Sequence, residues 1–211
     1  LGSDADIFCL YFDVTDGGNW EGNSILCNNL NPSTVAFNFG ISEQKVHEII
    51  NSCSTKLLEV RSKRISPGLD DKVLVSWNSL MITAFAKGYR VTNDGRYLDA
   101  AKNCISFIEK NLFVDDNLLR TYKNGTAKIN GYLEDYSYFV NALLDVFEIE
   151  PNSKYLKLAL KLGHHLIDHF WDSENNSFFM TSDDHEKLII RPKSNYDLSL
   201  PSGNSVSSFV M

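Results

Sequence analysis

The chain has 211 residues, 43% hydrophobic and 22% charged, which is room for one good-sized core and ordinary for a globular protein. Its net charge of -7 argues against nucleic acid, whose binders need a basic face. No apolar run approaches the roughly twenty residues of a membrane span, so no membrane partner is expected.

No leader peptide is legible at Leu1, and the chain reads as beginning inside a longer protein. Cys9, Cys27, Cys53 and Cys104 are scattered without metal-type spacing and read as reduced thiols of a cytoplasmic protein. Asn124-Gly125-Thr126 and Asn175-Asn176-Ser177 match the glycosylation acceptor pattern and read as surface turns.

In chain order, Ile7–Phe12 is an apolar run that fits a buried strand or one side of a short helix. Asp16-Gly17-Gly18-Asn19 is a turn signal. In Trp20-Glu21-Gly22-Asn23 the indole fits either a plug at the core edge or a platform for a sugar. Ser42 is a good N-cap, and Val46, Ile49, Ile50, Cys53, Leu57 and Val60 then share one helical face. Arg61, Lys63 and Arg64 suit the end of that helix, and Pro67-Gly68 terminates it.

Asp70–Met81 follows, with two carboxylates and a lysine ahead of a Ser-Trp-Asn turn that opens a helix to about Tyr89. A second helix carries Tyr97, Ala101, Cys104, Ile105, Ile108 and Leu112, then Leu118–Tyr122 reads as a strand. Gly131–Tyr138 opens a third helix with Tyr136, Phe139, Val140, Leu143, Leu144 and Phe147 on one face. Its partner bears Tyr155, Ala159, Leu162, Leu166, Ile167 and Phe170, and Ser177–Thr181 is another short strand.

Setting Gly95–Ala101 over Ser153–Ala159 gives a period of about 58 residues. The same shift lays Trp77-Asn78 over Asp135-Tyr136. A third unit would begin near Gly203-Asn204, its lead-in lengthened by Asp183–Asp197. Helical hairpins that repeat cover one another's faces, either around an α/α toroid or in a straight stack. In the toroid the three helix starts share one rim, where unpaired N–H groups favour polar or anionic ligand oxygens.

Five motifs carry a resemblance that spans essentially the whole chain. Asp70–Met81 resembles the DDKxLTSWNGLM signature of the YyaL/spermatogenesis-associated-protein-20 family, with Val75 for its usual Thr and Ser79 for its usual Gly. Asn19–Gly22, Gly131–Tyr136, Arg191–Lys193 and Pro201–Val206 resemble its NWEG, GYLEDYA, RPK and PSGNSV segments. The resemblance implies a thioredoxin-like domain ahead of an all-α, six-hairpin (α/α)6 toroid like that of N-acylglucosamine 2-epimerase. Residues 1–211 would be an incomplete part of one toroid domain, with short β-hairpins between helical hairpins. Within it, 1–69 is a lead-in with one long helix, 70–130 and 131–200 are hairpin units, and 201–211 starts a third.

Sugar chemistry in such a fold needs an acid, a base and an aromatic platform. Asp71, Glu134 and Asp135 are the candidate acid/base groups. Asp70, Trp77, Asn78, Tyr136, His185, Arg191 and Asn204 are the candidate substrate-binding residues. Epimerisation usually calls for histidine beside the proton transferred, and only His185 lies near a motif. Each candidate has a plainer role open to it. Asp70 and Asp71 suit a helix cap, Glu134 and Asp135 suit first-turn dipole partners, and Arg191 and Lys193 suit a salt bridge. His164, His165 and His169 are spaced for a metal but show no carboxylate partner in sequence, so neither metal nor cofactor is expected. The expected partners are a small-molecule sugar and the thioredoxin-like domain of the same polypeptide. The expected function is isomerisation, epimerisation or hydrolysis of a small sugar, with a non-catalytic binding or scaffold module as the alternative.

Overall fold

The computed structural model describes residues 1–186 and 189–211, and the chain divides into two compact units, Leu1–Leu69 and Asp70–Met211. Lys187 and Leu188, inside the long lead-in expected at Asp183–Asp197, lie outside the described residues.

In the first unit a 3-10 turn (Gly2–Asp4) leads into α1 (Ala5–Tyr11), α2 (Pro32–Phe39) and α3 (Glu43–Ser62). The Ile7–Phe12 run is thus helical, and Ile7 and Phe8 pack against Val35, Ala36, Val46, Ile49 and Cys53. The Ser42 side chain caps α3 by accepting from the Lys45 N–H at 3.2 Å. Only the first half of the α3 apolar face is buried; Leu57 and Val60 are exposed. Gly18 is required where it stands, because its φ is +70° and a Cβ there would come within 2.5 Å of the Asn23 backbone. Trp20, at 60% exposure, does not plug a core edge.

The second unit is two helical hairpins and the start of another. Strand β1 (Val73–Leu74) runs directly into α4 (Val75–Thr92), which turns through Asn93 in the left-handed region into α5 (Gly95–Asn111). β2 (Phe113–Val114), β3 (Asn117–Lys123) and β4 (Thr126–Asn130) follow, then α6 (Leu133–Ile149) and α7 (Ser153–Phe170). β5 (Trp171–Asp172) and β6 (Ser177–Phe178) form a short ribbon, and α8 (Gly203–Val210) comes last. The strand expected over Ser177–Thr181 therefore stops at Phe178. β3 is the centre of an antiparallel sheet, pairing with β1, β2 and β4, and Asn124-Gly125 makes its two-residue turn at positive φ.

Helix α6 is the axis of this unit. Residues 135–140 are all buried, so α6 is covered on every side, by α4, α7 and α8. Ile82, Ile105, Ile108, Leu118, Phe139, Leu143, Leu162, Leu166 and Phe170 form the core around it. The period is visible in space. Val75 and Leu133, 58 positions apart, are the first residues of α4 and α6. Thr83 and Arg90 contact Asn141 and Glu148, each 58 positions on.

Candidate functional site

Three helix starts meet within the second unit. Gly203, at the start of α8, sits against α6 so closely that a Cβ would meet Leu133 Cγ at 2.8 Å and the Glu134 nitrogen at 3.2 Å. The start of α4 is tied to α6 by Asp135. That carboxylate is fully buried, its Oδ1 accepting from the Ser76 N–H at 3.0 Å. Its Oδ2 accepts from the Tyr132 N–H at 2.9 Å and from Arg120 Nη1 at 2.8 Å. Burial pushes the Asp135 pKa above the usual carboxylate value, while Arg120 and the two backbone donors oppose that shift. Arg120 Nη2 also pairs with Glu134 Oε1 at 2.9 Å, and its guanidinium lies 4.5 Å over the Tyr132 ring.

Beside this network is a cavity of about 210 Å³, its wall including Tyr132, Glu134, Met180, Tyr196, Pro201 and Gly203. Glu134 is the acid on that wall among the described residues. Its carboxylate is partly exposed, unlike that of its neighbour Asp135. The His185 ring stands 5.4 Å from that of Tyr132, and both its nitrogens are buried with no partner among the described residues.

The other candidates lie elsewhere or are already engaged. Asp70 and Asp71 do not cap α4, whose N-cap is Leu74. Instead Asp70 pairs with Lys72 at 2.7 Å and Asp71 with Lys123 at 2.8 Å, and those lysines hold both carboxyls below the usual range. Trp77 is 62% exposed in the first turn of α4. Asn78 donates to the Leu74 carbonyl at 2.8 Å. Tyr136 is in the core, stacked on His165 at 4.7 Å, with its hydroxyl accepting from the Leu118 N–H; burial pushes its pKa up to about 12. Asn204 accepts from the Phe178 N–H at 2.7 Å and donates to the carbonyls of Phe178 and Ser194. Arg191 donates to the carbonyls of His169 and Thr181 and covers Phe179 at 4.1 Å; Lys193 pairs with Asp172.

Sequence reasoning missed two features. Arg120 is the hinge of the network, and the one available signal was a cation in the middle of a half-buried strand. The second concerns α7. His169 does have a carboxylate neighbour, Asp183, at 2.7 Å, supplied by a loop fourteen positions further along the chain.

The fold is that of α/α-toroid sugar enzymes. The chain superposes on cellobiose 2-epimerase from Bacillus thermoamylovorans at TM-score 0.53 and 16% identity, covering 58% of this chain and 35% of that one. A family 105 glycoside hydrolase from C. acetobutylicum matches at 0.50 and 15%, covering 98% and 63%. No family model matches. Among curated proteins, human spermatogenesis-associated protein 20 is 32% identical over 90% of this chain, and the uncharacterized protein B0495.5 of Caenorhabditis elegans is 30% identical over 96%. The resemblance read from the five motifs therefore extends along nine tenths of the sequence. The chain spans 26% and 30% of the length of those two relatives.

Proposed function

We propose that residues 1–211 are part of one carbohydrate-active α/α toroid domain, and that the cavity beside Glu134 takes a small sugar. The observation that carries this reading is the Glu134 carboxylate on the cavity wall, held by Arg120 at 2.9 Å. Glu134 is the acid/base group that faces substrate. Asp135, with both oxygens engaged, fixes Arg120 and thereby Glu134, so it is a positioning residue. His185, beside Tyr132, is the second proton-transfer group, as a reaction at a carbon next to a carbonyl would require. The epimerase and hydrolase among the structural neighbours support this sugar class through shared fold.

The test is a thermal-shift screen against monosaccharides, disaccharides and sugar phosphates, followed by turnover assays on Glu134→Gln. A binding sugar raises the melting temperature by mass action. Loss of turnover in a variant that melts like the wild type supports the enzyme reading. A second reading is a binding or scaffold module partnering a thioredoxin-like domain. It is favoured by Asn204, a motif residue whose side chain is spent on backbone groups. A flat sugar panel with Glu134→Gln unaltered selects it.

A further inference from the structure

We propose that His169, Asp183 and Asp184 bind one divalent transition-metal ion, and that the ion fastens the 181–185 loop to the end of α7. A ring nitrogen of His169 and one carboxylate oxygen from each aspartate all lie within 4.8 Å of one another. Metal bonds of about 2.0–2.2 Å place neighbouring ligands somewhat closer than that. Both aspartates are exposed, so small rotations of their side chains close the set. One imidazole with two carboxylates and no thiolate suits Zn²⁺ or Mn²⁺.

The loop itself is short of a partner. It leaves Thr181 Oγ1 buried without a partner among the described residues, and Thr181 is only 5% exposed. Buried polar groups in folded proteins are bonded to protein or to ordered water, and the water shell of an ion on this loop would supply Thr181 with such a partner. The donors are also held from behind. The Asp183 N–H donates to the His169 carbonyl at 3.0 Å, and Arg191 bonds the carbonyls of both His169 and Thr181. Backbone fixed on both sides of a ligand pair lowers the ordering cost of binding.

The loop begins next to Met180, which lines the cavity and whose carbonyl accepts from the Leu133 N–H. The ion would thus steady one wall of that cavity. The inference does not depend on the sugar reading.

The experiment is calorimetric titration of EDTA-dialysed protein with ZnCl2, with Co²⁺ absorption as a second readout. The expected result is one equivalent bound, with visible d–d bands and no thiolate charge-transfer band. The double variant Asp183→Asn with Asp184→Asn should lose affinity at least about tenfold while its metal-free melting is unchanged. Both side chains are exposed, so the variant folds. Absence of saturable binding, full affinity in the double variant, or a thiolate band would each overturn the proposal. The first two leave only a His–Asp ion pair at this place, and the third moves the ion to a cysteine.

Discussion

Asp135 and Glu134 are neighbours in sequence with opposite environments, and that contrast decides what each can do. Asp135→Ala removes the acceptor for three donors and leaves the buried Ser76 N–H and the half-buried Tyr132 N–H without bonds. It should destabilise the protein by about 3 kcal/mol or more in urea unfolding. Glu134→Gln keeps the shape and leaves Arg120 paired with Asp135, so stability should shift by less than about 1 kcal/mol. A Glu134 variant as unstable as the Asp135 variant would mean that both carboxylates are structural. None of this contrast is legible in the string Leu-Glu-Asp-Tyr, where both acids satisfy the first-turn preference equally. Burial of the second depends on α4 and β3, which arrive from 15 to 59 positions earlier.

Among the elements, α5 and α7 were legible because each buries one continuous stripe at helical spacing. By contrast, α6 is buried all round, and α4 buries Val75, Ser79, Ile82 and Ala86 rather than its more exposed Met81 and Ala84. α2 was not legible. Its run ends in Phe37 and Phe39, both exposed, so no 3.6-residue face forms, and the helix is defined instead by Pro32 at its first turn and Gly40 at its end. The sheet was only partly legible, since β1 has two residues and exists by pairing with Tyr122 and Thr121. The passage from sheet to α6 turns on Gly131. A Cβ there would lie 2.8 Å from the Leu118 carbonyl oxygen and 2.9 Å from Tyr136 Cε2. Gly131→Ala should therefore cost about 1–3 kcal/mol in chemical denaturation, through backbone that cannot yield. Phe139→Ala, at the fully buried centre of α6, should cost about 3–5 kcal/mol by the same measurement.

For the whole molecule, pH is the informative variable. Burial pushes the Tyr136 and Tyr138 hydroxyls from 10.0 up to about 12, so the folded chain holds these protons after the unfolded chain has lost them. Their contribution is fully present below about pH 10 and is lost as pH rises through about 12, so urea midpoints should fall across that window. Unchanged midpoints there would show that neither hydroxyl is desolvated. On the acid side, Lys193 holds the Asp172 carboxyl well below the usual range. That stabilisation is present above the unfolded carboxylate pKa of about 3.9 and disappears as pH falls below it. Among the described residues, no helix is long and apolar enough to cross a membrane.

The pairing of Thr83 with Asn141 and of Arg90 with Glu148 joins each residue to its own counterpart one unit later. Equivalent positions of equivalent helices therefore face each other, so in a repeating array such a position on an inner unit faces one neighbour before it and one after it. Here successive units are segments of one polypeptide. Such a chain can grow by duplication without inventing a new interface. A mutation at a shared position must then satisfy two neighbours rather than one, which limits how freely any single unit can diverge.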